Sequence, residues 1–136
     1  MPEQKIMPRP SAVSEPFWQG AREGQLRLQQ CNSCGHYQFY PRLMCSHCGA
    51  QDLAWQPASG RGRVASFTIV RRGISLAYTA PYVVALIDLE EGVRMMSQIL
   101  IDNPGDGRLM VGADVRVLFA DWADNVVVPV FELIDI

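Results

Sequence analysis

The chain has 136 residues, of which 49% are apolar and 19% charged, with 14 acidic against 12 basic side chains. A chain of this length buries roughly two-thirds of its unfolded surface on folding, so it can form a core without disulfides, and the composition excludes disorder. The net charge of −2 argues against a partner held mainly by bulk positive charge, such as non-specific DNA or an anionic membrane surface. The longest apolar run, from Tyr82 to Ile87, is too short to span a bilayer, and no signal-peptide core follows Met1. We therefore expect a soluble, cytoplasmic protein with no membrane partner.

The N-terminal region predicts an arm followed by a short helix. Residues 1–13 contain three prolines, which is typical of a flexible arm outside the core. Ser14, followed by an acid and a proline, is a helix-start signal. Phe17 and Trp18 present more aromatic surface than so short a helix can bury on itself. The helix is expected to pack on another domain or another chain, with packing on its own chain as the open alternative.

Four cysteines stand in two C-x-x-C-G units, Cys31 with Cys34 and Cys45 with Cys48, separated by ten residues. Each unit aims two thiolates at one point, and the glycine lets the backbone fold back so that its N–H groups face the sulfurs. Two such units complete a tetrahedral four-sulfur site. The spacer is shorter than in the commonest zinc pattern, but it can hold a small hairpin with the aromatic run 36–41. Because a closed four-ligand site leaves no position for substrate or water, the metal is predicted to be structural.

Other uses of these cysteines remain open at this point. Zinc is favoured, and iron is chemically allowed in a four-sulfur site. A disulfide pair is disfavoured by the reducing compartment expected for this chain, and a thioredoxin-type redox site lacks its βαβ context. His36 and His47 flank the cysteines, but four thiolates already fill the coordination shell. We interpret both histidines as surface or supporting residues.

The second half of the chain predicts a small β-barrel or sandwich. The breaker cluster 59–62 marks a boundary between a helix-plus-ribbon unit, residues 14–58, and a strand-rich unit, residues 59–136. Five strand patterns follow, at 63–70, 82–89, 94–101, 115–119 and 126–134. Pro129 lies inside the last pattern and predicts an edge position or a bulge there.

No set of catalytic residues can be assembled from this sequence. A nucleophile needs a base with a pKa near neutrality, and the only two histidines stand beside the cysteines. The chain also has no glycine-rich phosphate loop preceding a helix. These features favour a binding module or an accessory subunit over an independent enzyme.

Small five-stranded barrels often bind single-stranded nucleic acid across strands 2 and 3 and the flanking loops. Here the turn between those strands carries Glu90 and Glu91, and the loop between strands 4 and 5 carries Asp121 and Asp124. These carboxylates repel phosphate, so nucleic acid is disfavoured. Single-stranded nucleic-acid binding nevertheless stays an alternative.

The charged residues between positions 61 and 72 are all arginines, namely Arg61, Arg63, Arg71 and Arg72, and a largely apolar loop, 73–81, follows them. A guanidinium can hold a phosphate in bidentate fashion while an apolar loop covers a hydrocarbon tail. This arrangement suits an amphipathic anion. The alternative is that the arginines are solvated strand-end residues and that the loop is a barrel lid.

Several segments in a specific order resemble a known family. They are 17–20, 24–26, the two cysteine units, 39–42, Trp55, 59–62, 81–85, 91–92, 111–112 and 129–131. The family, long described as a domain of unknown function, joins an N-terminal helix and a rubredoxin-like zinc ribbon to an acyl-CoA-associated OB-fold. The family pattern has Cys-Pro where this chain has Cys45-Ser46, a departure that leaves the ligands intact.

The resemblance implies a mainly β fold, with an N-terminal helix, a rubredoxin-like zinc ribbon and a five-stranded OB-fold barrel. It also implies a non-catalytic accessory subunit in a hetero-oligomer with a thiolase-like or other acyl-CoA enzyme. With acyl-CoA as ligand, the candidate contacts are Arg61, Arg63, Arg71, Arg72 and Tyr78. A purely structural bridge between acyl-CoA enzymes remains a further alternative.

Overall fold

The computed structural model describes residues 5–134. In this range it has one helix and eight strands: α1 (Glu15–Arg22), β1 (Arg27–Cys31), β2 (Tyr37–Gln38), β3 (Leu53–Pro57), β4 (Arg61–Val70), β5 (Tyr82–Leu89), β6 (Arg94–Ile99), β7 (Asp114–Ala123) and β8 (Val126–Leu133). Residues 1–4 of the predicted arm and 135–136 of the predicted barrel lie outside the described residues. The described chain is mainly β with one short helix, as the sequence predicts.

The helix begins directly after Ser14, the residue that the start signal indicates. Ser14 is buried, and its Oγ accepts a hydrogen bond from the Ser11 backbone N–H at 2.9 Å. A glycine is needed at position 20 in the helix interior for a steric reason, because a Cβ there would lie 2.8 Å from the carbonyl oxygen of Gln25. The glycine therefore allows the chain to turn back tightly from α1 toward β1.

A three-stranded antiparallel sheet in the order β2-β1-β3 forms the ribbon, and α1 packs against β1 and against β8 of the barrel. Phe17 is only 3% exposed, with its ring 5.0 Å from that of Trp18 and 5.5 Å from that of Phe39. The aromatic end of the helix is thus buried on its own chain, between the ribbon and the barrel. The helix therefore packs on the other predicted unit, the barrel, and does so within the same chain.

Strands β4 to β8 form a closed barrel in the order β4-β5-β6-β8-β7. Its strand pairs are antiparallel except for β6 and β8, which run parallel. Closure depends on β4, whose first residues pair with β7 while most of its length pairs with β5. The predicted five-stranded barrel is confirmed, and its third strand ends at Ile99 rather than at Ile101.

Gly62 lies between two strands of the barrel and pairs with Leu89 of β5 and Val115 of β7. A Cβ at position 62 would lie 2.5 Å from the carbonyl oxygen of Asp88. Because backbone atoms cannot give way there, only glycine fits without a shift of the strands. A glycine that the sequence presents as a boundary signal is therefore also a packing requirement of the first barrel strand.

One hydrophobic cluster connects the ribbon unit to the barrel. Val83 and Ile87 of β5 and Phe131 of β8 are fully buried, and Phe17 and Leu28 belong to the same cluster. The two predicted units therefore share a core, which sets the position of the ribbon and helix relative to the outer face of the barrel. No helix among residues 5–134 is long and apolar enough to cross a membrane.

Pro129 lies opposite Phe119 of β7, and the register shift between β7 and β8 occurs elsewhere, between Asp121 and Ala123. The prediction of an edge strand or a bulge at Pro129 is therefore wrong for the closed barrel. The Pro129 carbonyl accepts a hydrogen bond from Ser97 Oγ of β6 at 2.9 Å. Since the amide and carbonyl of one strand residue face the same neighbour, the proline nitrogen also faces β6. Between β6 and β8 the only paired residues in the described structure are Ile99 and Phe131. The missing N–H of Pro129 therefore interrupts no continuous row of hydrogen bonds between these two strands.

Candidate functional site

The four cysteine sulfurs lie together at the end of the ribbon, all within 4.8 Å of one another. Cys31 Sγ is 3.6 Å from Cys48 Sγ, and Cys34 Sγ is 3.6 Å from Cys45 Sγ. A tetrahedral site with Zn–S bonds of about 2.3 Å requires sulfur separations of about 3.8 Å. These distances fit a metal and not a disulfide, and all four cysteines are free. The predicted ligand set is thus brought to one point.

Backbone N–H groups face the first sulfur of each unit. The Cys48 and His47 amides lie 3.4 and 3.3 Å from Cys45 Sγ, and these amides, the Cys48 amide first, lower the pKa of Cys45 to about 6. The Cys34 amide likewise lowers the pKa of Cys31. For Cys34, the His36 amide lowers the pKa, but burial and the neighbouring thiols outweigh it and raise the pKa to about 12. Crowded sulfurs of this kind are relieved by a cation that neutralises their charge.

Two buried glutamines, which the sequence analysis did not single out, connect the sheet to the second cysteine unit. Gln38 Nε2 donates to Gln29 Oε1 at 2.6 Å, and Gln38 Oε1 accepts from the Ser46 amide at 2.8 Å. Gln29 Oε1 also accepts from the Arg42 amide at 2.9 Å, and its Nε2 donates to the Arg42 carbonyl. The sequence offers only a weak signal for these glutamines. Gln29 ends a stretch, residues 26–29, in which leucines alternate with polar residues.

His36 and His47 are exposed, and their rings stack with centroids 3.8 Å apart. Neither belongs to the cluster of ligand atoms formed by the four cysteines. Their interpretation as surface residues beside the ribbon is consistent with this placement.

The structure separates the five predicted acyl-CoA residues into two groups. Arg61 and Arg63 lie at the start of β4, in a groove shared with Asp88, Glu90 and Asp114. Arg63 forms an ion pair with Asp114 at 3.3 Å. Arg71 and Arg72 follow the other end of the same strand, roughly 26 Å away at about 3.3 Å per residue. The arginines therefore do not form one patch, because an extended strand carries them to opposite ends of the barrel.

Arg71, Arg72 and Tyr78 do come together. They line a groove with the apolar loop that follows β4, including Leu76 and Ala80. Neither arginine forms an ion pair with a residue between 5 and 134, and both are exposed. This end of the barrel therefore offers two uncompensated guanidinium groups beside apolar side chains.

A second cavity, of about 360 Å³, adjoins this groove and shares Tyr78 with it. It covers the outer face of β5 and β6, where Val84, Met96 and Gln98 lie, with Trp122 near the β7–β8 turn. In OB-folds the usual ligand surface is the face of the second and third strands, with the loop between strands 1 and 2 and the loop between strands 4 and 5. In this barrel these elements are β5 and β6, the β4–β5 loop and the β7–β8 turn. Here α1 and the ribbon contribute Phe17, Trp18, Phe39 and Tyr40 as an added wall. The sequence analysis missed this wall because its residues are distant from the barrel in the chain.

The described part of the N-terminal arm crosses the rim of this cavity. The Ile6 amide donates to the Tyr78 hydroxyl at 2.8 Å. The Lys5 ammonium lies 5.8 Å from the centre of the Tyr78 ring and 5.9 Å from that of Trp122, within cation–π distance. Lys5 thus places a third cation beside Tyr78, a residue that also lines the groove of Arg71 and Arg72.

A four-thiol ribbon joined to a closed five-stranded barrel defines the class of zinc-ribbon OB-fold proteins. The chain belongs to the ChsH2 family. The model of the ChsH2 rubredoxin-like zinc ribbon domain matches residues 18–54, and that of the ChsH2 C-terminal OB-fold domain matches residues 55–120.

Known proteins of this kind are similar over most of the chain. A probable enoyl-CoA hydratase alpha subunit from Thermomonospora curvata is 31% identical over 134 residues, which are 95% of this chain and 41% of that protein. The chain thus spans about two fifths of that relative. A DUF35 domain-containing scaffold protein from Methanothermobacter thermautotrophicus is 34% identical over 92 residues, 66% of this chain and 68% of the relative. The solved structure named Ltp2-ChsH2(DUF35) aldolase has a TM-score of 0.83 at 27% identity, covering 93% of this chain and 98% of that one.

Proposed function

We propose that this chain is a non-catalytic accessory subunit of an acyl-CoA-processing complex. It binds a thiolase-type acyltransferase, or a related acyl-CoA enzyme, and helps to form the acyl-CoA site. The observation that carries the proposal is the apolar outer face of the barrel, which adjoins two arginines without ion pairs among residues 5–134. Apolar walls beside a local cationic groove suit an amphipathic anion better than a polymer of phosphates.

The four cysteines are proposed to hold a structural Zn²⁺. Their sulfur separations match a tetrahedral four-thiolate site, and all four positions of such a site are then filled by the protein. A bound zinc ion would contribute folding free energy to the ribbon, with no coordination position for substrate.

The proposed acyl-CoA contacts are Arg71, Arg72 and Tyr78. Arg61 and Arg63 are less suited, because the carboxylates of Asp88, Glu90 and Asp114 line their groove and repel a phosphate. The five residues predicted from the sequence thus reduce to the three that the fold brings together.

The partner surface is proposed to lie on the ribbon between the two cysteine units. Tyr40, Leu43 and Met44 are 46%, 75% and 49% exposed, which places three large exposed side chains within five residues. Contiguous exposed apolar side chains of this kind mark protein interfaces. The name of one relative, a probable enoyl-CoA hydratase alpha subunit, supports a partner that processes acyl-CoA, and the name of another, a scaffold protein, supports an accessory role.

Affinity purification of the chain from its native source, followed by mass spectrometry, tests the partner. The expected result is retention of an acyl-CoA enzyme that Met44→Glu abolishes. Met110→Glu is the matched control, since Met110 is 56% exposed on the barrel. Equal loss with both variants, or retention of proteins unrelated to acyl-CoA, would contradict the proposal.

Calorimetric titration of free CoA into the purified complex tests the ligand. Arg71→Gln with Arg72→Gln should weaken CoA binding at least tenfold, since each hydrogen bond to a charged group contributes about 1.5–3 kcal/mol. Arg61→Gln with Arg63→Gln should change it less than about twofold by the same conversion. Complex formation with no CoA contact would indicate a structural bridge. Salt-sensitive retention of a labelled oligonucleotide, without acyl-CoA binding, would indicate the nucleic-acid alternative.

A further inference from the structure

The described part of the N-terminal arm is held at both of its ends. Near the helix, the Ser11 amide donates to Ser14 Oγ at 2.9 Å, and the Ser14 amide donates back to Ser11 Oγ at 3.2 Å. Ser14 itself is almost fully buried. At the other end, the Ile6 amide donates to the Tyr78 hydroxyl at 2.8 Å. Residues 5–11 therefore form a strap, with an anchor at the start of α1 and a clasp at the barrel.

The anchor and the clasp belong to different walls of the cavity on the outer face of β5 and β6. The anchor directly precedes the helix that contributes Phe17 and Trp18 to this cavity. The clasp is formed by Tyr78 and Trp122, which line the same cavity from the barrel. The strap thus runs along the rim of the cavity from one wall to another.

The composition of the strap makes it stiff. Two of its seven residues are prolines, Pro8 and Pro10. Each proline fixes its own φ and disfavours helical backbone at the preceding residue, so the strap stays extended. A short segment of this kind moves by swinging about its anchor rather than by collapsing.

The clasp is weak enough to open. The Ile6 side chain is 74% exposed, so this contact buries little apolar surface. The strap is held by one hydrogen bond and by the Lys5 ammonium, which lies over the rings of Tyr78 and Trp122. A hydrogen bond of this kind shifts an equilibrium about two- to tenfold, and an exposed cation–π contact about two- to fivefold. A modest competing interaction is therefore sufficient for release.

Tyr78 is shared by the strap, the cavity and the groove of Arg71 and Arg72. A ligand that extends from the cavity into this groove passes the Tyr78 ring, where Lys5 and the Ile6 amide lie. The strap and such a ligand therefore compete for one side chain.

We propose that the strap is a built-in gate of the cavity. While it is clasped at Tyr78 it restricts entry, and when released it swings about Ser11 and opens the cavity toward the groove of Arg71 and Arg72. The inference rests on the proposed function only for the identity of the ligand, since the gate acts on any amphipathic anion that occupies both spaces. A ligand or partner that binds Tyr78 in place of the strap shifts the equilibrium to the open state.

NMR of the full chain tests whether the clasp forms in solution. We expect nuclear Overhauser contacts between the Lys5 side chain and the rings of Tyr78 and Trp122. Ile6→Pro removes the donating N–H and should lose these contacts, whereas Ile6→Val retains the N–H and should keep them. Absence of the contacts from the wild type would overturn the gate.

Binding of 8-anilinonaphthalene-1-sulfonate, an amphipathic anion that reports on exposed apolar surface, tests whether the clasp restricts entry. The dissociation constant should fall about two- to tenfold in Ile6→Pro and about two- to fivefold in Lys5→Gln, because the open fraction rises. Shifts of the Trp122 indole and Gln98 amide resonances should place the dye in the cavity.

Two control variants separate the clasp from general effects of substitution in the strap. Arg9→Gln removes one positive charge from an exposed residue of the same strap, as Lys5→Gln does at the clasp. Ile6→Val changes the side chain and leaves the hydrogen bond. Both controls should change the dissociation constant of the dye less than about twofold, a change of about 0.4 kcal/mol.

Free CoA, titrated into the same variants, distinguishes the gate from the proposed function. Unchanged or weaker dye binding by Ile6→Pro, or dye shifts outside the cavity, would overturn the gate even if CoA binds at Arg71 and Arg72. Weaker binding would show that the strap completes the site instead of closing it. If Ile6→Pro binds the dye more tightly and no variant binds CoA, the gate is supported and the proposed CoA contact is wrong.

Discussion

Gln38 Nε2 donates a hydrogen bond of 2.6 Å to Gln29 Oε1, and both side chains are almost fully buried beside the cluster of four cysteines. Through this pair, β1 and β2 hold the backbone of Arg42 and Ser46, which flank Cys45. The segment that carries Cys45 is therefore positioned by a buried polar network as well as by its own turn. Such networks are stabilising only when every member is satisfied.

Gln29→Leu should lower the free energy of unfolding by about 1–3 kcal/mol, because the Arg42 amide and Gln38 amide lose their acceptor in a buried site. Urea unfolding of the metal-loaded protein measures the change. Gln51→Leu, at an exposed position of the ribbon, should stay within about 0.5 kcal/mol of the wild type. An unchanged midpoint for Gln29→Leu would show that the network has no stabilising role.

Removal of the metal should unfold the ribbon before the barrel. Either a chelator or Cys45→Ala should collapse the amide dispersion of β1 to β3, since a four-thiolate zinc site supplies about 10–16 kcal/mol of apparent binding energy in isolated zinc peptides. Hydrogen-exchange protection should persist in the barrel strands. Ser46→Ala is the neighbouring control outside the ligand set. A chelated protein that keeps its ribbon chemical shifts would contradict this prediction.

Metal binding should weaken as pH falls, because protons compete with the metal for the thiolates. Above pH 6 the sulfur of Cys45, whose pKa the Cys48 amide lowers to about 6, is already a thiolate and releases no proton on binding. Below that pH it is protonated, so binding must displace one more proton. The logarithm of the affinity should thus fall more steeply with decreasing pH below about 6, as measured by competition with a chelator of known pH dependence. A metal affinity that does not change with pH would contradict this prediction.

Gly62→Ala should destabilise the barrel by about 1–3 kcal/mol, the usual range for overpacking. The added Cβ would lie 2.5 Å from the Asp88 carbonyl oxygen, and neither β4 nor β5 can move without disturbing the other strands. Gly105→Ala is the matched control, since its nearest atom, Asn103 Oδ1, would lie 3.6 Å away. Thermal unfolding of the two variants should separate them clearly, and equal midpoints would show that the strands can shift at no cost.

Local patterns were sufficient for much of the architecture. The C-x-x-C-G units predicted the ligand set because two residues within one turn must point to a common place. Alternation of apolar residues predicted strands such as β5 for an equally local reason. The edge position at Pro129 was wrong because strand neighbours are set by barrel closure, which depends on β6 and β4 at long range.

The sequence by itself determined the elements and the metal ligands, because turns, alternation and cysteine spacing act within a few residues along the chain. Only the tertiary structure decided which of Arg61, Arg63, Arg71 and Arg72 line the same groove, since the seven strand residues 64–70 separate the two pairs. It also decided that Phe17 and Phe39 of the ribbon unit lie against the same cavity as Trp122 of the barrel. That arrangement follows from burial of the core that the two units share. Such burial depends on the whole fold and cannot be predicted from a short stretch of sequence.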